Sequence, residues 1–423
     1  MSASFLTYSQ LSAWRSIEPF PVDQHTPLFV TKVWPLPAEL TVRHVEDAFT
    51  RLAQLHGALR TRFELQHEDE PRQRVEADAV VPHEIHELIA TDDTEAPLSM
   101  PDTFATRPFD LEREPAWRVC IVTRDGRPQS VVVCCHHMIA DAWAMRVLRE
   151  DLFTILAGAI PPDAPEPGEL AEVQRSTAWA RRHEATMRHW VTAIRSGVDP
   201  GVPEDDEPRP RLWASLESVT ALDAARVLAE ATRTSVHSVV LTAFAEVVAR
   251  QSGRQRFRVG LLAGNRSQAR WRRLVCPMDQ LTPMVYARQP DRPITETIQH
   301  VHRAALSAYS HASFDVDELA AELEEFGFDA VDGGMDVFFN FIPVEPAALP
   351  GTGPFRATDA EPWRLTVSDQ GRNNGVPTFL KVSAGAYLLL RLQESRAGST
   401  AASMEQHLMA VQELLRAEAS LIR

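Results

Sequence analysis

The spacing of apolar residues changes period along the chain, and each change predicts an element. Val42, Val45, Ala48, Phe49, Leu52 and Leu55 recur at helical spacing behind Thr41, which stands in the N-cap place. That helix leads through Gly57 into an expected strand over Thr61 to Leu65, while Glu68 to Arg74 is charged and reads as a turn. Trp117 to Thr123 and Ser130 to Cys135 read as strands joined by the turn at Arg124-Asp125-Gly126. Trp143, Val147, Leu148, Leu152, Ile155 and Leu156 form the stripe of a helix that stops at Gly158.

A proline-rich run from Gly158 to Gly168 marks the end of a first lobe. A polar amphipathic helix is expected from Glu169 to Ile194, and the Pro/Asp/Glu-rich stretch Pro200 to Pro210 reads as a mobile loop. Beyond Arg211, Val236 to Val248, Pro293 to Ser310, Asp315 to Phe326 and Met404 to Ala417 read as helices. Phe257 to Leu262, Val337 to Ile342, Leu365 to Ser368, Thr378 to Ser383 and Tyr387 to Gln393 read as strands. Helix and strand alternate in both halves, so an α/β fold of two lobes is expected, residues 1–168 and 169–423.

The formal charge of -15 argues against nucleic acid as a partner. The only lysines are Lys32 and Lys381, and neither sits in a glycine-rich loop, so P-loop and Schiff-base chemistry are disfavoured. No stretch approaches a membrane span, and Met1 to Glu18 does not read as a signal peptide. Four cysteines, two adjacent within an apolar strand, suggest no disulfide framework and fit a reducing cytoplasm.

The chemistry concentrates where the run Val131 to Cys135 ends in His136-His137, with Asp141 four residues further on. Successive strand side chains point to opposite faces, so one imidazole should enter structure and the other open space. His137 is the expected proton acceptor, since histidine titrates near neutral pH, at about 6.5. His136 reads as a structural hydrogen-bonder ahead of a catalytic role. Opposite-facing rings do not suit one metal ion, so none is expected. Asp141, at a helix start, is placed to cap it.

The pattern HHxxxD resembles the HHxxxDG motif of the condensation-domain superfamily of nonribosomal peptide synthesis, and the likeness extends along the chain. Thr7-Tyr8-Ser9-Gln10-Leu11-Ser12-Ala13-Trp14 is similar to the opening motif, and His56-Gly57-Ala58-Leu59-Arg60-Thr61-Arg62-Phe63 to "HxxLRTRF". Pro108 to Leu111 with Pro115 to Arg118 resembles the approach to the active strand, Gly260 to Arg266 "GxPxANR", Ala308 to Phe314 "AxxHxxxPF", and Phe339-Asn340-Phe341 "FNY". The resemblance implies two chloramphenicol-acetyltransferase-like lobes in a V-shaped pseudo-dimer with a central tunnel, the second carrying floor and latch segments. It implies His137 in the tunnel, Asp141 paired with Arg266, and Ala142, Met278, Asp279, Gln280 and Asn340 along the substrate path.

Two departures bear on substrate. Ala142 stands where the family has glycine, which would restrict φ and narrow the space near the histidine. Val275-Cys276-Pro277-Met278-Asp279-Gln280-Leu281-Thr282-Pro283 stands where it has "GFFVNTLP"; Asp279 there could meet a cationic acceptor amine.

The implied activity is transfer of an acyl or aminoacyl group from the phosphopantetheine thioester of a separate acyl or peptidyl carrier protein to a small amine, less readily an alcohol. No cofactor of the enzyme's own is implied. The first motif begins within about ten residues of Met1 and the last helix is expected to end near Arg423, which suggests a free-standing enzyme; a monomer is expected. Arg181, Arg182 and Arg188, and Arg270, Arg272 and Arg273, are candidates for carrier docking beside a plain solvated face. A non-catalytic recruitment domain, a carrier-bound aminoacyl epimerase and a coenzyme A-dependent acyltransferase remain as alternatives.

Overall fold

The computed structural model describes residues 3–25, 28–66, 70–88, 104–199, 210–324, 335, 337–342, 355–358, 362–372, 378–395 and 399–422. The expected loop at 200–209 and the end of the expected helix at 325–326 lie outside them. The chain forms two compact units. One holds Met1–Glu184 with Gly264–Gln280 and Ser313–Val316; the other holds Ala185–Ala263, Leu281–Ala312 and Asp317–Arg423.

In the first unit the strands are β1 (Ser4–Phe5), β2 (Phe29–Pro35), β3 (Thr61–Glu64), β4 (Arg72–Val75), β5 (His83–Glu87), β6 (Trp117–Arg124) and β7 (Arg127–His136). The helices are α1 (Tyr8–Ile17), α2 (Val42–Leu55), α3 (Ala142–Leu156), α4 (Pro167–Gln174) and the start of α5 (Thr177–Arg195). Four strands form a sheet in the order β2-β7-β6-β5, and three form a second in the order β1-β4-β3. β7 is an inner strand, and Val131 to Cys135 are at most 2% exposed, which is why this stretch reads as an unbroken apolar run.

Three expectations are corrected. Arg72 to Arg74 is strand, not turn: Gln73 is buried, and the Arg72 guanidinium lies 4.6 Å over the Phe5 ring. Alternating Arg-Gln-Arg is a two-faced strand whose inner residue happens to be polar. The single helix from Glu169 to Ile194 is two, α4 and α5. The end of α4 is taken up by the N-terminus, where the Tyr8 hydroxyl donates to the Gln174 carbonyl at 2.9 Å and Arg175 reaches the Leu6 carbonyl at 2.8 Å. These bonds hold α4 to the first unit, so the division comes at Glu184, not at residue 168.

The second unit is built on one sheet of seven strands in the order β10-β9-β11-β13-β14-β8-β12. These are β8 (Pro210–Ser218), β9 (Arg256–Ala263), β10 (Gln280–Ala287), β11 (Val337–Ile342), β12 (Trp363–Arg372), β13 (Thr378–Ala384) and β14 (Leu388–Glu394). β11 runs parallel to β9 and β13, whereas β14 and β8 run antiparallel to their neighbours. Helices α6 (Val219–Thr232), α7 (Val236–Ser252), α8 (Ile294–Ser310) and α10 (Ala401–Ser420) carry its core with the sheet; α9 spans Val316–Glu324. From Ser238 to Ala249 every residue of α7 is buried, including the polar Ser238, Thr242 and Glu246, so this helix is enclosed on all sides.

Candidate functional site

β7 ends at His136, and the two histidines part there. His136 is 1% exposed, packed among the rings of Phe29, Phe109 and His25. Its Nδ1 accepts the Met138 N–H at 3.1 Å, so the proton belongs on Nε2, which is buried with no hydrogen-bond partner among the described residues. Burial, with His137 and His25 nearby, pushes His136 down to about 3, so it is neutral at pH 7. The His137 side chain is 25% exposed, and its backbone N–H donates to the Leu28 carbonyl at 2.7 Å.

A prediction follows for His136. Its folded value lies below the unfolded one, so between about pH 6.5 and about 3 the unfolded chain binds a proton that the folded chain does not. The stability this provides is complete above pH 6.5 and drains as pH falls through that window, by about 1.4 kcal/mol per pH unit at most. In His136→Gln, stability should fall less steeply between pH 7 and 4. Parallel curves of urea midpoint against pH for the two proteins would reject this.

Asp141 caps α3. Its Oδ1 accepts the Ala144 N–H at 2.7 Å. Arg266 Nη2 donates to both carboxylate oxygens at 3.0 Å, and the Met278 N–H donates to Oδ2 at 3.1 Å. Both side chains of the pair are almost fully buried, at 5% and 7% exposed. Arg266 also bonds the carbonyls of Trp271, Leu274 and Cys276. Asn265, in the left-handed region at φ 50°, turns the chain before it and donates to the Met278 carbonyl at 2.9 Å. One carboxylate thus starts the helix after the histidines and pins the segment Gly264–Gln280 beside them.

That segment brings Asp279 to the ring: its Oδ2 lies 3.7 Å from His137 Nε2. Asp279 Oδ1 is buried with no hydrogen-bond partner among the described residues. Burial pushes the Asp279 carboxyl up, against the opposing pull of His137 and Arg266.

The remaining expected path residues separate. Gln280 is 3% exposed, and its amide is spent on Ser12 Oγ at 2.8 Å and on the Phe314 carbonyl and N–H at 2.9 and 3.3 Å. It clamps chain segments together. Met278 packs with Leu170, Trp271, Leu274 and Cys276, and lines a small cleft with Asn265, Gln174, Trp179 and Arg182. Ala142 is exposed and is the first residue of α3, so its φ is helical and the alanine causes no backbone strain there. Asn340 lies on β11 of the second unit, opposite Lys381.

The four cysteines are free and buried. Burial pushes Cys120 up to about 11, Cys276 to about 12, and Cys135 well above its usual value, so none of these three is poised as a nucleophile. Among the described residues no group of three His, Cys, Asp or Glu stands where it could hold a metal ion, and no helix is long and apolar enough to cross a membrane.

Two further groups were not singled out in the sequence. Gln10 Nε2 donates to the Met138 carbonyl at 3.1 Å, fixing the turn after the histidines. Asp151, 2% exposed, accepts from His56 Nε2 and from Arg273 Nη2, each at 2.8 Å. Burial alone would raise this carboxyl, but those two bonds hold it below its usual range. Arg273 is therefore committed, and Arg270 pairs with Glu169 at 2.7 Å, which leaves the expected basic cluster largely neutralised. Arg182 is half-buried over the Trp179 ring at 4.7 Å.

Comparison with known proteins places this geometry. The family model described as Condensation domain matches residues 22–345. AMB antimetabolite synthetase AmbB of Pseudomonas aeruginosa is 28% identical over 337 residues, which is 73% of this chain and 27% of AmbB. The chain thus spans about a quarter or less of the curated relatives it matches. Among solved structures, the condensation domain that mediates chain release from the enacyloxin polyketide synthase superposes with a TM-score of 0.77 at 17% identity, over 99% of this chain and 84% of that one. SgcC5 from Streptomyces globisporus gives 0.74 at 17% identity, over 98% of both chains. At such identities the likeness is one of fold.

Proposed function

Because this chain belongs to the condensation-domain family, we propose that it transfers an acyl or aminoacyl group from a carrier-bound phosphopantetheine thioester to an amine, less readily to an alcohol. His137 is the residue at the reacting atoms. The attacking group must lose a proton as the tetrahedral centre forms, and an imidazole within hydrogen-bond reach can accept it, for about 10²–10⁴-fold in rate. Holding the two reactants in line contributes beside this. The observation that carries the reading is the partly exposed His137 ring at the end of a buried strand. Asp141 and Arg266 hold the site's backbone, while His136, buried and neutral, supports the strand end.

No acyl-enzyme is needed. The nucleophile attacks the thioester carbonyl, the new C–N or C–O bond forms, the C–S bond breaks, and the carrier's thiol departs with a proton. The test is the intact mass of an acyl-loaded carrier before and after addition of protein and candidate acceptors. Loss of the acyl mass from the carrier, with acceptor-dependent appearance of the amide or ester, is the expected result. A carrier that stays loaded across the whole acceptor panel refutes the reading.

A further inference from the structure

The geometry points to Asp279 as the residue that selects the acceptor: it captures an amine as its ammonium ion and holds the nitrogen against His137. This inference rests on the transfer reaction proposed above and names the class of acceptor that reaction takes.

Asp141 and Arg266 neutralise one another in a buried pair at 3.0 Å. Asp279 is then the surplus carboxylate, with the His137 ring and the buried Cys276 thiol beside it. Burial raises the cost of carrying that charge alone, as the upward push on its carboxyl shows. A cation beside Asp279 would remove this cost.

Distance then selects the kind of cation. Asp279 Oδ2 and His137 Nε2 are 3.7 Å apart, too far to bond each other well. A donor at about 2.9 Å from each can sit at the apex between them. An ammonium nitrogen has three N–H groups, so one can serve the carboxylate and another the imidazole. A hydroxyl has a single hydrogen and must leave one of the two acceptors unserved. Sites built to pair a donor discriminate strongly against analogues that lack it. The Asp279 Oδ1 atom, buried and without a partner among the described residues, offers the third N–H a place.

The transfer step balances with this arrangement. The bound ammonium gives one proton to His137 Nε2, and the freed lone pair forms the C–N bond while the C–S bond breaks. On becoming an amide the nitrogen sheds two protons in all, of which one leaves with the thiol and the other goes to solvent. Between these events the imidazolium faces the Asp279 carboxylate.

The test is equilibrium binding to the full chain, followed by NMR of the His137 ring in protein labelled at histidine. The resonance is assigned by its absence in His137→Gln. n-Butylammonium, n-butyltrimethylammonium and 1-butanol are titrated in turn. n-Butylammonium should bind roughly 10- to 100-fold more tightly than 1-butanol, the span expected of a charge-assisted hydrogen bond. It should also exceed n-butyltrimethylammonium, which carries the charge without N–H donors. The preference over 1-butanol should close in Asp279→Asn and Asp279→Ser.

Equal binding of the three probes to the wild type, no response to n-butylammonium, or a preference retained in both variants would each overturn the assignment. The wild-type comparison decides even if the variants do not fold. Since no turnover is read, a failed acyl transfer would sink the proposed reaction while leaving the ammonium preference measurable. Transfer without that preference would leave the reaction standing and remove Asp279 from acceptor selection.

Discussion

Asp141→Ala should lower folding stability by about 3–5 kcal/mol, the usual consequence of leaving one member of a buried ion pair alone. Two losses combine. The N-cap bond to the Ala144 N–H at 2.7 Å disappears, at a cost of about 1 kcal/mol. The Arg266 guanidinium, 5% exposed, then keeps its carbonyl partners but loses its counter-charge, and the Met278 N–H loses its acceptor. Because three carbonyls still serve Arg266, the lower part of the range is the better expectation. Asp141→Asn keeps a capping oxygen and removes the charge, so it should cost less than alanine. In Asp141→Ala with Arg266→Met the buried cation is gone as well, so the double variant should be more stable than the sum of the single changes. Urea denaturation of the wild type, the three single variants and the double variant measures this. A loss below about 1 kcal/mol in Asp141→Ala would mean that only a cap was removed.

This stability has a functional side. Asp141 touches no reactant in the scheme above, yet it holds the Met278 N–H and, through Arg266, the carbonyls of Trp271, Leu274 and Cys276. Asp279 follows directly on Met278. Releasing the segment should therefore weaken acceptor binding along with folding.

What the sequence reveals follows the range of each interaction. The strand that ends at His136 and the helix that starts after Asp141 are local, because period, cap and apolar run are written in adjacent residues. The division of the two histidines is local too, since the strand ends at His136 and the turn begins at His137. By contrast, the break between α4 and α5 is made by Tyr8 and Leu6, far away in sequence. Periodicity continues across that break and gives no sign of it. β4 leaves no apolar signal in the sequence because its buried residue is Gln73, whose amide bonds Gln10 and the Phe5 carbonyl instead of packing as an apolar side chain. Asp151, bonded to His56 and Arg273, shows the same limit. Each residue alone looks like ordinary helix or motif polarity, and only the fold brings the three together. At the site, the resemblance marked Gln280 and Asp279 alike as path residues. The geometry separates them: one amide is bonded within the protein through both its nitrogen and its oxygen, and one carboxylate oxygen has no partner among the described residues.

His137→Ala should lower acyl transfer by about 10²–10⁴-fold. Folding stability should change little, within the roughly 0.5 kcal/mol typical of surface substitutions, because the ring is 25% exposed and its ion-pair contact to Asp279 is long at 3.7 Å. His136→Gln should do the reverse, altering the acid dependence of stability through a ring 1% exposed. The two neighbouring histidines can thus be told apart by which quantity each one moves. The form of the His137→Ala loss separates two roles for the imidazole. If it accepts the proton, single-turnover rates at saturating acceptor remain depressed by the full factor. If it mainly holds the acceptor in place, raising the acceptor concentration recovers most of the rate. Asp279→Asn gives the matching control. It should weaken acceptor binding and leave more of the saturated rate than His137→Ala does, because the carboxylate captures the ammonium while the imidazole takes its proton. If both variants show the same concentration-dependent recovery, His137 and Asp279 act together as one anchor, and another group must take the proton.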